Sequence, residues 1–277
     1  MADYIAGKSV VITGAGSGFG RLTAEKLGAD GARLTCIDIN AEAAEATAAA
    51  IREAGGQAHA VAADVTSIDD MRAAAAAAVA AYGAIDVMVN NAGIMPLAFI
   101  ADHASALPAW ERCIDINFKG VMNGCIAVHD QMMAQGRGHV VNLSSIYGNR
   151  ASAGAAVYGA TKAAVDYFSH ALRQEARGKI KVTVIKPTGV MATGLMGTVV
   201  NPAAGSGLIG HNLAAFYEDF GKLQSGEAGE LTDPDSVAYG FLTPDHIADA
   251  IVHTINQPWG VAISDVTVRA SGDHYIA

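Results

Sequence analysis

Short continuous apolar runs alternate along the chain with longer segments whose apolar residues recur at helical spacing. The runs Ser9–Thr13, Arg33–Asp38, Gln57–Ala62, Ile85–Val89, Gly138–Leu143, Lys181–Lys186 and Gly260–Val268 are predicted strands. Helices are predicted between them, over about 18–29, 41–54, 67–81, 111–134, 155–177 and 244–256. Glycine punctuates the joins, as in Ala54-Gly55-Gly56 and Gln135-Gly136. Val10-Val11-Ile12 and Val87-Met88-Val89 show no polar alternation, which is what a strand covered on both faces requires. Strands alternating with helices predict βαβ units and a parallel sheet, and right-handed crossovers then place helices on both faces. The fold class is α/β: one doubly wound domain over 1–277 with a seven-stranded parallel sheet, its ligands at the carboxyl ends of the strands. One stretch, about 191–243, breaks the rhythm. It is long, rich in Gly and Pro and weakly periodic, so it reads as a lid with one short amphipathic helix at Asn212–Leu223.

Composition narrows the functional classes. Of 277 residues, 51% are hydrophobic and 16% charged, which excludes a disordered chain. The net charge is −9 with no basic stripe, so nucleic acid is not a partner and an anionic membrane surface repels the chain. The longest weakly apolar run, Ala73–Ala81, is far short of the ~20 residues that span a bilayer. The first residues carry no cationic segment followed by an apolar stretch, so no signal peptide is read there. Cys36, Cys113 and Cys125 stand far apart, without a C-x-x-C pair. Free thiols in a reducing, cytoplasmic setting are expected. The nine histidines lack metal-ligand spacing, and no metal is expected.

The first strand runs straight into Thr13-Gly14-Ala15-Gly16-Ser17-Gly18-Phe19-Gly20. Glycines there allow a tight turn and a close backbone approach to a pyrophosphate, and the helix beginning near Gly18 aims free N–H groups at that anion. The strand before, the helix after, and Asp38 at the end of strand two, 18 residues beyond Gly20, complete a dinucleotide fingerprint. Asp38 would accept from the ribose hydroxyls and repel a 2′-phosphate. Ile39 and Ser17 are not basic, so NAD is the expected cofactor. Asp64-Val65 after strand three suits the adenine, although an Asp before a helix is also an ordinary cap.

A second set carries chemistry. Tyr158 and Lys162 lie four residues apart in a helical segment, on one face. A cation near the phenol would bring its pKa toward neutrality, at a cost one charge about 4 Å away can supply. Asn142-Leu143-Ser144-Ser145 ends strand five and Asn90-Asn91-Ala92-Gly93 ends strand four at the same edge. Asn117 sits in a helix interior, where Asn has no propensity advantage.

Taken in order and at this spacing, these motifs resemble the classical short-chain dehydrogenase/reductase family, over about residues 8–268. The resemblance implies a Rossmann domain and a role for each residue. Tyr158 would be the acid/base. Lys162 would lower its pKa and hold the nicotinamide ribose. Ser145 would bind the substrate oxygen, and Asn117 would anchor a proton-relaying water. Gly14, Ser17, Phe19, Asp38, Ile39, Asp64, Val65, Asn91, Gly93, Pro187, Val190 and Thr193 match NAD-contacting positions. A homotetramer, or a homodimer, is implied through helices 111–134 and 155–177. The chain departs from the family after strand six: Pro187-Thr188-Gly189 stands where Pro-Gly is usual, and Thr193 comes one residue late.

The expected activity is reversible oxidation of a secondary alcohol to a ketone. Pocket walls are predicted at Met95, Pro96, Leu97, Ile146, Tyr147, Val157, Leu195 and Met196, mostly apolar. They favour an uncharged apolar, cyclic or aromatic substrate, with steroids, terpenoids and aryl alcohols all open; Arg150 is near enough to keep a carboxylate in play. Alternatives are a non-catalytic NAD-binding sensor, an NADPH-using ketoreductase, and a dehydratase or epimerase with tightly held NAD.

Overall fold

The structure, a computed structural model, describes residues 3–191 and 193–276. Seven strands, β1 (Ser9–Thr13), β2 (Arg33–Asp38), β3 (Gln57–Ala62), β4 (Val87–Asn90), β5 (Gly138–Leu143), β6 (Ile180–Pro187) and β7 (Asp265–Val268), form one sheet. Their order is β3-β2-β1-β4-β5-β6-β7, and every pairing is parallel. Val10 pairs with Leu34 on one side and Val87 on the other. The strand order reverses between β1 and β4, and there a crevice opens at the carboxyl ends of the strands.

Among the described residues there are eight α-helices: α1 (Gly18–Ala29), α2 (Ala41–Glu53), α3 (Ile68–Tyr82), α4 (His103–Ile114), α5 (Gly120–Gln135), α6 (Ala156–Glu175), α7 (Leu213–Ser225) and α8 (Pro244–Ile255). Alternate strand residues feed two cores. Val10 and Ile12 pack with Leu27, Ile51, Ile247 and Ile251 from α1, α2 and α8. Val11 and Met88 pack with Met71, Val128, Met132 and Val165 from α3, α5 and α6. The continuous apolar runs are thus sandwiched, as their sequence requires.

The main difference from the sequence reading lies at the predicted helix 111–134. The helical path starts earlier, at His103, and contains Pro108. A π-helical turn, Asp115–Lys119, then joins α4 to α5. β7 is limited to Asp265–Val268, because Val261 closes a turn on the Pro258 carbonyl before the strand begins. In the 191–243 stretch, 3-10 turns at Gly194–Thr198, Pro202–Leu208 and Gly210–Asn212 precede α7.

Candidate active site

The glycine-rich loop is held from below. The Thr13 hydroxyl accepts from the Asn91 and Ala92 N–H groups at 3.0 and 3.1 Å. The Asn91 amide donates back to the carbonyls of Thr13 and Gly14 at 2.9 and 3.2 Å. Gly14 has φ +64°, in the left-handed region, where glycine carries no steric penalty. A Cβ at Gly20 would lie 2.2 Å from the Gly14 carbonyl oxygen, so helix and turn touch through bare backbone. The Ser17 side chain does not cap α1, which leaves first-turn N–H groups for an anion.

A cleft of about 820 Å³ opens from this loop. Gly14, Ser17, Phe19, Asp38, Ile39, Asp64, Val65, Asn91, Gly93 and Thr193 all line it. Asp38 has one oxygen on the Gly16 N–H (3.0 Å) and the other on the Asn40 N–H (2.9 Å), fixing its carboxylate at the cleft wall. Asp64 instead closes a turn onto the N–H and hydroxyl of Thr66 at 2.9 and 2.8 Å. The Val65 carbonyl accepts from the Asn123 amide at 2.9 Å. The bare-backbone turn, the uncapped helix start and the terminal Asp together fit a dinucleotide.

At the inner end stand the reactive groups. Ser145, Tyr158 and Lys162 are buried, with 6, 4 and 6% exposure. Ser145 stands just past Ser144 at the end of β5, and Tyr158 and Lys162 are one turn apart on α6. The Ser145 hydroxyl accepts from the Tyr147 N–H at 3.3 Å and lies near enough to Tyr158 to favour its phenolate. Burial pushes the phenol up to about 12, against that influence. Lys162 donates from Nζ to the Leu143 carbonyl at 2.8 Å and sits 5.7 Å from the Tyr158 ring centre. Burial brings this ammonium down to about 8. Desolvation is the largest influence on the phenol in this arrangement.

Asn117 lies in the π-helical turn, fully buried. Its amide oxygen accepts from the Ile94 N–H at 2.9 Å and its nitrogen donates to the Ile94 carbonyl at 2.8 Å. A Cβ on Gly93 would lie 3.3 Å from that oxygen and 3.8 Å from Lys162 Nζ, so the β4 end, the π turn and α6 meet at one point. Beneath them Asn90 donates to Asn142 (2.8 Å) and Asn142 to Ser169 (2.9 Å), a buried polar chain joining β4, β5 and α6.

The family model for short chain dehydrogenases matches residues 8–203. The chain belongs to that family. It is 33% identical over 267 residues to the uncharacterized oxidoreductase Lmo0432 of Listeria monocytogenes, covering 95% of this chain and 96% of the relative. It is 31% identical over 265 residues to the uncharacterized oxidoreductase SSP1627 of Staphylococcus saprophyticus, covering 95% and 96%. Among solved structures, a metagenomic short-chain oxidoreductase in complex with NADP superposes with TM-score 0.72 at 26% identity, covering 96% of this chain and 98% of that one. A 7 alpha-hydroxysteroid dehydrogenase complexed with NADH and 7-oxo glycochenodeoxycholic acid shares the fold, with TM-score 0.79 at 24% identity, over 99% of this chain and 97% of that one.

This short-chain dehydrogenase has a second cavity of about 420 Å³ adjoining the cleft, with Tyr158, Ser145 and Lys162 in its wall. Pro187 and Val190 line this cavity rather than the cleft, and Thr193 lines both. Met95, Leu97, Ile146, Tyr147, Leu195 and Met196 line it as predicted. Pro96 and Val157 do not: the Pro96 carbonyl accepts from Trp110 (3.1 Å), and Val157 packs on the Ala98–Ala106–Trp110 cluster. Arg150 turns away and donates to the Ile276 carbonyl at 3.0 Å. The sequence reading missed Phe216 and Phe220 of α7, Leu208, Ile209 and Tyr275. The apolar face of the predicted helix at Asn212–Leu223 was the one available signal. Tyr275 comes from a segment with no periodicity.

Proposed function

We propose that this short-chain dehydrogenase interconverts an uncharged apolar secondary alcohol and its ketone, with NAD as cofactor. The observation carrying this reading is the buried Ser145–Tyr158–Lys162 group at the junction of the glycine-loop cleft and an apolar cavity. Gly14, Ser17 and Phe19 would hold the pyrophosphate, Asp38 the ribose, and Asp64 with Val65 the adenine. Asn91, Gly93, Lys162, Pro187, Val190 and Thr193 would hold the nicotinamide end. When bound, the nicotinamide supplies hydride acceptance and return.

The chain's own residues handle the proton. The Ser145 hydroxyl orients the substrate oxygen. Tyr158 Oη takes the carbinol proton in oxidation and returns it to the developing alkoxide in reduction. Lys162, held close to the phenol ring, stabilises the phenolate, and Asn117 fixes the Ile94 backbone beside them. General acid–base help of this kind is typically worth about 10²–10⁴-fold. The cavity, with Lys162 as the sole charged side chain among its lining residues, suits a neutral body that sheds water on entry. The 191–243 insert, through Leu195, Met196, Phe216 and Phe220, acts as its lid.

Asp38 at the ribose end favours NAD, because a 2′-phosphate would meet its carboxylate. NADP is the second reading, since the metagenomic relative binds it. Self-association through the α4–α5 and α6 surfaces is part of the proposal: Ile114, Ile126 and Tyr167 lie exposed there. Three buried free thiols support a cytoplasmic setting.

The test is NADH formation across secondary alcohols, from small aliphatic to cyclic, aryl and steroidal, with NADP in parallel. Activity with NAD on an apolar class is expected. No turnover with either cofactor, from protein that binds NADH, would overturn the reading in favour of a sensor or a non-redox enzyme.

A further inference from the structure

Segment 269–276, which follows β7, is tied down along its length. Arg269 pairs with Asp273 and donates to the Tyr275 carbonyl, both at 2.6 Å. The Tyr275 N–H donates to Asp273 at 3.1 Å. The Ile276 N–H reaches the Leu208 carbonyl at 3.0 Å, and His274 bridges to Asp219 of α7 at 2.9 Å. These bonds deliver the Tyr275 side chain into the wall of the 420 Å³ cavity.

Tyr275 also accounts for the glycine in the Pro187-Thr188-Gly189 run. Gly189 has φ +58°. A Cβ there would lie 2.4 Å from Cε2 of Tyr275 and 2.9 Å from its hydroxyl. The glycine stands where the Tyr275 ring needs room, one position later than the family pattern. The phenol is therefore seated on the Pro187–Val190 segment, at the reacting end of the cavity. Tyr147 is at the same end, its ring 5.5 Å from that of Tyr158. Neither the Tyr147 nor the Tyr275 hydroxyl has a hydrogen-bond partner among the described residues. Burial pushes both phenols up, Tyr275 to about 12, so both stay protonated donors. Both residues line the cavity and neither hydroxyl is sealed in the protein interior, so each can donate to an acceptor on whatever fills it.

We propose that Tyr275, assisted by Tyr147, determines specificity by donating to a second neutral oxygen beside the substrate's reacting carbon. The preferred substrates are then apolar vicinal diketones, hydroxyketones and diols. This rests on the alcohol/ketone reading above.

Benzil and deoxybenzoin test it, because they share a carbon skeleton and differ by one vicinal oxygen. Each is titrated into the protein–NADH complex by calorimetry, and NADH consumption is followed separately. The complex should bind benzil about fivefold more tightly, the size of one neutral hydrogen bond. Tyr275→Phe keeps the ring on Gly189 and should erase that preference. Gly189→Ala, which displaces the ring but retains the hydroxyl, should erase it too. A preference unchanged in Tyr275→Phe, or absent from the unmodified protein, overturns the proposal. Binding preference that follows Tyr275 without any NADH consumption would keep this inference and sink the redox reading instead.

Discussion

Lys162 Nζ donates to the carbonyl of Leu143, the last residue of β5, at 2.8 Å. That bond ties the helix carrying Tyr158 to the strand leading into Ser145. It also holds a cation in a desolvated place, and the ammonium falls from its ordinary 10.5 to about 8. The unfolded chain binds this proton more tightly than the folded one. Stability therefore rises with pH between about 8 and 10.5, as the unfolded state loses its advantage. Tyr158, whose pKa is raised by burial to about 12, works in the opposite sense above about 10. Lys162 acts before Tyr158 opposes it between pH 8 and 10, and comparison with a variant lacking the ammonium cancels Lys8 and the buried thiols, which also shift in that range. There Lys162 should contribute roughly 2 kcal/mol of rising stability. Urea unfolding of the unmodified protein and of Lys162→Met checks this: the difference between them should shift by that amount, and a constant difference would refute it.

Tyr158→Phe removes the hydroxyl that Ser145 contacts and leaves the ring in place. Turnover should fall by about 10²–10⁴-fold, the range of general acid–base catalysis. NADH binding, followed by fluorescence, should stay within a few-fold. Undiminished turnover would remove Tyr158 from the mechanism.

Much of this site was legible because its parts obey local rules. Gly14, Gly18 and Asp38 sit at fixed offsets from strands whose apolar runs are continuous, and Tyr158 and Lys162 share a helix face by spacing alone. What escaped depends on contacts far apart in sequence. The π turn at Asp115–Lys119 leaves no periodic trace, and only the odd placement of Asn117 hinted at it. The start of α4 lies ahead of Pro108, and a proline inside a helix runs against local propensity, which tertiary packing overrides here. Tyr275 and Gly189 are 86 residues apart, and no pattern along the chain links them.

Asn117 satisfies both backbone groups of Ile94 with one amide. Asn117→Ala removes the partner of the Ile94 N–H and leaves its carbonyl only the Cys113 thiol at 3.9 Å, and an unsatisfied group of this kind costs about 1–3 kcal/mol. A loss of about 1–3 kcal/mol in thermal or urea unfolding is expected. Activity should fall as well, since Ile94 borders both cavities. A variant as stable as the parent would mean that water replaces the amide at little cost.

Asp38 and Ile39 set the cofactor end, and Ile39 is 63% exposed, so a longer side chain has room there. Asp38→Ala combined with Ile39→Arg removes the repelling carboxylate and adds a planar cation suited to a phosphate. The ratio of kcat/KM for NADP over NAD should rise at least about tenfold, equivalent to about 1.4 kcal/mol. An unchanged ratio would place cofactor choice elsewhere in the cleft.

Gly20 offers the most local test of the dinucleotide cradle. A methyl there would approach the Gly14 carbonyl oxygen to 2.2 Å and the Asn91 amide nitrogen to 2.5 Å. Neither contact involves a free chain end: one is backbone, and the amide is already bonded to Thr13 and Gly14. Gly20→Ala must therefore push α1 away from the turn, and the first-turn N–H groups move with it. Alanine is the better helix former by about 1 kcal/mol, so propensity alone predicts a gain in stability. Close packing predicts the reverse, because overpacking costs typically 1–3 kcal/mol. The contact distances decide for packing. The variant should melt lower and bind NADH at least about tenfold more weakly, and a variant that melts higher with undiminished binding would show that α1 slides without disturbing the cradle.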